Sequence, residues 1–295
     1  MSTAATTFDT VAEEKPVGLW TDALRRMRRS RSAIIGGTIV GLMVLMAVLA
    51  PILAPYDPLV GNLSESFLPP SPDHWMGTNI QGQDVLSRII WGARLTLGVA
   101  VLSVSIGVIV GGFFGALAGF FKGPVDAAIM RGVDIMLAIP GLLLAIGIVT
   151  FLGRGVVQIA MAIAIVNVPI FARLLRSSLL GLREADYVVA ARSVGVRGPT
   201  ILTRHMLPNA IGPLIVQATL ALATAVVDAA ALGFLGLGPD PRTPEWGAML
   251  SDTYRYLNEA VWLAFFPGIM IVLSVVGFNL LGDGMREALD PRLRR

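Results

Sequence analysis

Residues 107–119 read GVIVGGFFGALAG and decide the class of fold that this chain adopts. The stretch contains no charged residue, and glycine recurs every four residues, at Gly107, Gly111, Gly115 and Gly119. Small residues at this spacing form a stripe on one face of a helix, which lets two helix backbones approach closely inside a membrane. We therefore predict a membrane-spanning helix that packs through these glycines, in preference to direct contact between the glycines and a substrate.

Apolar stretches of similar length occur along the whole chain. Hydrophobic residues make up 55% of the sequence and charged residues only 15%, and a helix needs about 20 mostly apolar residues to span a bilayer. We predict an all-α integral membrane protein with six transmembrane helices, at 33–53, 90–119, 130–152, 157–179, 208–234 and 260–281. The first stretch resembles a signal peptide, but about thirty residues precede it and no A-x-A cleavage site follows.

The distribution of arginine predicts the orientation of the chain. With six spans and a cytoplasmic N-terminus, the cytoplasmic side holds most of the arginines, including those of 173–204. Cytoplasmic loops of membrane proteins carry an excess of lysine and arginine. Both termini are therefore predicted to be cytoplasmic.

Five regions follow from composition. Residues 1–16 are polar without periodicity, which predicts a disordered cytoplasmic tail. Residues 17–32 combine Trp20 with clustered arginines and predict a basic helix in the membrane interface; the alternative is a basic anchor that only fixes topology. The remaining regions are the first transmembrane helix with a long external loop at 33–89, a transmembrane core at 90–285 that includes a proline-rich external segment at 236–258, and a basic C-terminus at 286–295.

Three of the predicted spans contain a proline: Pro140, Pro169 and Pro267. Proline has no backbone N–H and clashes with the preceding helical turn, so each is expected to kink its helix. Kinks suit a protein that opens and closes, although static bundles contain them as well.

The sequence offers no catalytic centre. His74 and His205 fall on opposite sides of the predicted membrane and cannot share a metal ion. The phosphate-binding pattern G-x-x-x-x-G-K-[ST] is absent, because neither Lys15 nor Lys122 follows a glycine. The chain contains no cysteine, which excludes disulfides and thiolate metal sites. We predict a non-catalytic protein without a bound cofactor or metal.

Four ionisable residues lie in or near predicted spans and are candidates for a transport pathway. Arg131 and Asp134 are three residues apart, so they are expected to pair on one helix face near Asp126 in a structural role. Asp228 stands alone in the apolar stretch LALATAVVDAAALGF. It is expected to form an inter-helix hydrogen bond or to line a pore. The alternative is that these acids bind ions or protons in a stand-alone secondary transporter or channel.

The stretch READYVVAARSVGVRGPTILTRHMLPN, residues 183–209, is too charged to span a membrane. A helix is expected over 184–195, with Tyr187, Ala190, Ala191 and Val194 on one face and Gly195 just past its end. A second helix is expected over 200–207, and Pro208 marks the entry to the fifth span. The loop is longer than a plain connection requires. We predict that it docks a partner; the alternative is a solvated connector.

This stretch resembles the cytoplasmic signature loop of binding-protein-dependent ABC importer permeases, whose pattern is E-A-A, three residues, Gly, nine residues, I-x-L-P. Ala190, Ala191 and Gly195 match its A-A-x-x-x-G part and Leu207–Pro208 its end, whereas Val189 and His205 depart from it. The departures resemble the dipeptide/oligopeptide (peptide/nickel) branch. PPSPDHWMGTNIQGQDVLSRIIWGARLTL and FNLLGDGMREALDPRLR are similar to the second permease of those systems, the DppC/OppC type.

The resemblance implies a type I ABC importer permease fold in the inner membrane of a prokaryote. It also implies a homologous second permease, two ABC ATPase subunits that bind ATP and Mg²⁺, an extracytoplasmic solute-binding protein and a peptide substrate. Helix 184–195 would be the coupling helix that docks on an ATPase subunit, within a coupling loop at 183–207. The residues assigned to coupling are Glu184, Ala185, Asp186, Tyr187, Ala190, Ala191, Arg192, Gly195, His205 and Pro208.

Overall fold

The computed structural model describes residues 24–240 and 242–289, which form helices joined by loops and one isolated β-bridge. Among the described residues, five helices are long and apolar enough to span a membrane, and the number is six if the bent pair Gly123–Leu137 and Gly141–Leu152 counts as one span. In chain order the helices are α1 Arg31–Val48, α2 Ala50–Leu53, α3 Val85–Phe121, α4 Gly123–Leu137, α5 Gly141–Leu152, α6 Val156–Leu182, α7 Asp186–Ser193, α8 Gly198–Phe234, α9 Trp246–Thr253 and α10 Trp262–Leu289.

Several sequence predictions fall partly or wholly outside the described residues. The predicted tail 1–16 lies outside them, as do residues 17–23 of the predicted interfacial helix and 290–295 of the basic C-terminus. The second span begins at Val85, five residues before the predicted start. Asp84 explains the earlier start, because its carboxylate caps the helix by accepting the Ser87 N–H at 2.7 Å.

The glycine stripe lies against α6, and the contact between α3 and α6 forms the centre of the bundle. A Cβ placed on Gly111 would overlap the Val168 carbonyl oxygen, and one on Gly115 would lie 2.5 Å from the Ala172 carbonyl oxygen. Gly107 and Gly119 face the side chains of Asn167 and Leu179 in the same way. The two backbones come this close because the four positions carry no side chain.

Pro140 breaks the third predicted span instead of kinking it. It is the N-cap of α5, and α4 and α5 meet at 92°. The residue before a proline is driven out of helical geometry, and proline donates no hydrogen bond to the preceding turn, so the helix ends and restarts. Pro169 and Pro267 lie inside the continuous helices α6 and α10.

The bundle has two ends, which we call the loop side and the cap side. The loop side holds residues 183–207, where Gly198 faces the Phe120 ring near the end of α3. The start of α1 and the end of α10 also lie there, because Ser30 donates a hydrogen bond to Glu287 at 3.1 Å. The cap side holds residues 54–84 and 236–258, which contact each other around the start of α3.

Candidate functional site

Helix α7 projects from the loop side and is fixed at both ends by its own sequence. It runs over Asp186–Ser193, shorter than the predicted 184–195, with Ala185 as N-cap. Gly195 has φ of +80°, its N–H donates to the Arg192 carbonyl at 2.9 Å, and the Val196 N–H donates to the Ala191 carbonyl at 3.0 Å. These two bonds form a Schellman motif, so Gly195 occupies the C′ position that its sequence predicts.

One side chain anchors α7 to the bundle. Val188 is completely buried, and the surrounding cluster joins the end of α6 to the start of α8. The buried members of this cluster are Leu175, Leu179, Ile201, Met206, Ala210 and Leu214. Displacement of α7 must therefore displace both neighbouring helices, because close-packed side chains transmit strain.

The opposite face of α7 is apolar and exposed. Tyr187 and Val194 are 42% and 79% exposed, and Ala190 lies between them on the same stripe. Ala191, predicted to share this face, is half-buried and packs against the Val188 cluster. A helix of this size with an exposed apolar stripe and a buried anchor has the form of a docking element.

The charged and polar positions of the loop remain at the surface. Glu184, Asp186 and Arg192 are exposed, and none forms an ion pair within residues 24–240 and 242–289. Asp186 occupies the first turn of α7 and Arg192 the last, where each charge favours the helix dipole.

The helix predicted over 200–207 and the fifth span predicted to begin at Pro208 form one helix, because α8 runs without interruption from Gly198 to Phe234. Residues Ile201–Met206 form a π-helix, in which the Leu207 N–H donates to the Leu202 carbonyl five residues back. A π-helical turn is wider than an α-helical turn, so the helix continues past Pro208 although this residue has no backbone N–H to donate. His205 is half-buried in this segment, and its carbonyl accepts the Asn209 side chain at 2.7 Å.

Two ion pairs join α4 to α6, and they correct the predicted pairing on α4. Asp126 binds Arg176 through both carboxylate oxygens, and Asp134 binds Arg173. The predicted Arg131–Asp134 pair is wrong, because α6 presents Arg173 to Asp134 across the helix interface. Arg131 is exposed and forms no ion pair with any residue that the structure describes.

Asp228 is half-buried on α8, six residues before its cap-side end. It forms neither a hydrogen bond nor an ion pair with another residue in the described ranges. The structure therefore gives no partner for the predicted inter-helix hydrogen bond, and Asp228 is not near the Asp126 and Asp134 pairs on the loop side.

Sequence reasoning missed a buried polar network on the cap side. Arg88 is 2% exposed, and its guanidinium donates to Gln83 at 2.6 Å and to the carbonyls of Pro58 and Arg242 at 3.1 Å. A small cavity of about 20 Å³ lies beside it, lined in part by Asp252. Burial raises the pKa of Asp252, and the Arg88 charge opposes that rise.

Glu245 fixes the proline-rich segment 236–258 to the bundle. It is buried, accepts the N–H groups of Gly247 and Ala248 at 2.9 and 2.8 Å, and contacts the Thr96 hydroxyl at 3.4 Å. Trp246 follows it into a fully buried position and donates to the Ile89 carbonyl at 3.1 Å. The segment is therefore a cap that folds back onto α3.

Comparison with known proteins gives matches along nearly the whole chain. Residues 111–295 match the model of the family described as "binding-protein-dependent transport system inner membrane component", and residues 18–70 match the "N-terminal TM domain of oligopeptide transport permease C". The dipeptide transport system permease protein DppC of Alkalihalophilus pseudofirmus is 45% identical over 94% of this chain and 91% of its own length.

Two further relatives match most of this chain, and a solved structure matches a smaller part of it. The di/tripeptide permease DppC of Pseudomonas aeruginosa is 45% identical over 90% of this chain and 89% of its own. The glutathione permease GsiD of Pectobacterium atrosepticum is 40% identical over 93% and 92%. An inward-facing structure of the MetNI methionine ABC transporter covers 69% of this chain and 96% of its own with a TM-score of 0.58 and 21% identity, which shows a shared fold.

Proposed function

This chain belongs to the family of inner membrane components of binding-protein-dependent transport systems, and on that premise we propose that α7 is the element through which ATPase subunits drive a peptide importer. The chain is the permease subunit of an ABC importer in a bacterial inner membrane. Its relatives are dipeptide, di/tripeptide and glutathione transport permeases, so we assign di- and oligopeptides as its substrates.

The remaining components follow from this assignment. A homologous second permease completes the pathway, and a solute-binding protein delivers the peptide outside the membrane. Two ABC ATPase subunits bind ATP and Mg²⁺ and carry out the hydrolysis, while this subunit is non-catalytic. The loop side faces the cytoplasm, in agreement with the arginines of residues 183–204.

The observation that carries the proposal is the two-faced character of α7. Its exposed stripe at Tyr187, Ala190 and Val194 offers a partner a small apolar surface, while Val188 holds the helix in the bundle. When the ATPase subunits close around ATP, they push α7, which keeps its shape because its backbone hydrogen bonds are internal and its end is closed by the Schellman motif. The push reaches α6 and α8 through the Val188 cluster. These helices then tilt and switch access to the pathway.

A stand-alone secondary transporter is not supported. The relatives belong to multicomponent transport systems, and Asp228, the acid on which that alternative depends, lies apart from Asp126 and Asp134. A proton or ion relay requires acids within reach of one another.

A crosslinking experiment tests the docking of α7. The chain has no cysteine, so Val194→Cys introduces one unique thiol on the exposed stripe. Val60→Cys is the matched control, because Val60 is also an exposed valine but lies on the cap side. A thiol-directed crosslinker added to the assembled transporter should join Val194→Cys, and not Val60→Cys, to an ATPase subunit. Capture of the ATPase by Val60→Cys alone would refute the proposal and invert the orientation.

A further inference from the structure

Exposed charged side chains are unevenly distributed among the helices of this chain. In α1, from Ser32 to Val48, and in α10, from Trp262 to Gly282, the sequence contains no Asp, Glu, Lys or Arg. Apart from Thr38 and Asn279, the exposed side chains there are apolar or glycine, as lipid requires. In α4 and α6, by contrast, Arg131, Asp134 and Arg173 are all exposed.

These charges lie at membrane depth. Arg173 precedes Arg183, the C-cap of α6, by ten residues, which corresponds to about 15 Å of helix rise. Helix α6 has 27 residues and is therefore about 40 Å long, whereas the hydrocarbon core of a bilayer is about 30 Å thick. Arg173 and its partner Asp134 are accordingly within the hydrocarbon layer, on its loop-side half.

Lipid cannot cover such a pair. The side chains of Arg173 and Asp134 are 52% and 65% exposed although they bind each other. A charged group facing hydrocarbon is energetically unfavourable, and membrane proteins turn such groups toward a water-filled cavity or toward other polar protein groups. The pair therefore marks a face of the bundle that does not contact lipid tails.

The surroundings of the pair favour water. On α6, Ser177 is exposed one turn closer to the loop side, which continues the polar stripe toward the surface. On α4, Arg131 is exposed and has no described partner, and Gly132 beside it leaves open space, since nothing lies within 4 Å of a Cβ placed there. An unpaired guanidinium beside empty space at this depth needs solvent around it.

From these observations we infer that the face formed by Arg131 and Asp134 of α4 and by Arg173 and Ser177 of α6 lines an aqueous path that opens on the loop side. The path presents both signs of charge a few residues apart. That arrangement suits a substrate with an ammonium group and a carboxylate, such as a peptide in its zwitterionic form. The inference deepens the proposed function and rests on it for the identity of the substrate.

Cysteine reactivity separates this path from a lipid-facing surface. Ile135 follows Arg131 by one helical turn, is 67% exposed and lies twelve residues from the loop-side end of α4. Ile109 is its matched control, because it is 70% exposed and lies twelve residues from the loop-side end of α3. The single-cysteine variants Ile135→Cys and Ile109→Cys differ in the face they occupy and retain every charge of the path.

The assay uses the complete transporter in membrane vesicles and a cationic, membrane-impermeant methanethiosulfonate. Because only a hydrated thiol ionises to the reactive thiolate, Ile135→Cys should react at least about tenfold faster than Ile109→Cys. Ser177→Cys should react like Ile135→Cys, and peptide supplied with the binding protein should slow both reactions. Equal rates at Ile135→Cys and Ile109→Cys, with and without ATP, would overturn the inference.

A second comparison tests whether the other permease covers this face of α4 and α6. If Ile135→Cys reacts in the isolated chain but not in the assembled transporter, the face is a subunit interface and the aqueous path is refuted. All rates for the assembled transporter are read in complexes that retain their ATPase subunits and hydrolyse ATP. Failure of the path is thereby distinguished from failure of the proposed function, which the Val194→Cys crosslink tests.

Discussion

Arg176 holds both carboxylate oxygens of Asp126, with one of the two contacts at 2.6 Å, and this pair ties the broken span to the central helix α6. Helix α4 buries few apolar side chains, and Val133 is its one buried residue. The attachment of α4 to the bundle therefore depends strongly on its ion pairs.

We expect Asp126→Asn to loosen α4. A hydrogen bond to a charged group contributes about 1.5–3 kcal/mol, so the thermal midpoint of the purified transporter should fall by several degrees. The double exchange Asp126→Arg with Arg176→Asp should recover part of the loss, whereas Arg176→Asp alone should not. Equal midpoints for the single and double variants would contradict a role for the pair.

Gly195 should resist substitution for reasons of backbone geometry alone. Nothing lies within 4 Å of a Cβ placed there, but its φ of +80° costs a branched or bulky L-residue about 1–2 kcal/mol. Gly195→Leu should therefore distort the end of α7 and lower peptide uptake while membrane insertion is retained. Gly195→Asn is the control, because asparagine tolerates this conformation and should retain most uptake. Equal loss in both variants would point to crowding by a partner instead of strain.

Val188 should determine how efficiently ATP hydrolysis drives transport. Val188→Ala leaves a cavity beneath α7, costs about 1–3 kcal/mol and lets the helix shift without moving α6 and α8. We expect more ATP hydrolysed per peptide transported. Val189→Ala, at an exposed neighbouring position, should leave this ratio unchanged. The ratio is measured in proteoliposomes, and an unchanged ratio in Val188→Ala would contradict the role of the cluster in coupling.

Substitutions at two adjacent glycines test the helix-packing role of the glycine stripe. Gly111→Ala would drive a methyl group into the Val168 carbonyl oxygen, whereas the nearest atom to a Cβ on Gly112 is 3.8 Å away. Overpacking of this kind costs about 1–3 kcal/mol. Gly111→Ala should therefore lower the thermal midpoint, and Gly112→Ala should leave it unchanged or raise it, since alanine favours helix.

The stability of the cap should depend on pH through Glu245. Burial raises its pKa, and the amide hydrogen bonds from Gly247 and Ala248 oppose that rise. A carboxyl group whose folded-state pKa is raised stabilises the fold fully below its unfolded pKa of about 4.3, and this contribution is lost as pH rises through the folded-state pKa.

The thermal midpoint of the wild type should therefore rise relative to that of Glu245→Gln as the pH falls toward about 4.5. Glu259→Gln, at an exposed position one residue past this segment, is the control and should follow the wild type. Parallel pH profiles for wild type and Glu245→Gln would show that Glu245 does not titrate in this range.

Local sequence patterns predicted the spans and the helix end, and they missed the features that depend on contacts between residues far apart in sequence. Hydrophobic runs predicted the five continuous spans and the position of the bent pair, and the C′ role of Gly195 follows from a local rule of helix termination. The Asp134–Arg173 pair joins residues far apart in sequence, so periodicity on α4 alone favoured the wrong partner, Arg131. The Arg88 network also depends on long-range contacts and left no sequence signal apart from an arginine near a span.

The junction between the first and last helices has a mechanical consequence. A Cβ at Gly36 would overlap the Leu281 backbone, and one at Gly284 would lie 2.6 Å from the Ala33 nitrogen, so the two helices share a surface with no room for sliding. Helix α1 must therefore tilt together with α10 as a single rigid body. Because α1 leads through α2 into residues 54–84, a tilt that begins on the loop side reaches the cap side directly, which in the proposed orientation is the side that the binding protein approaches.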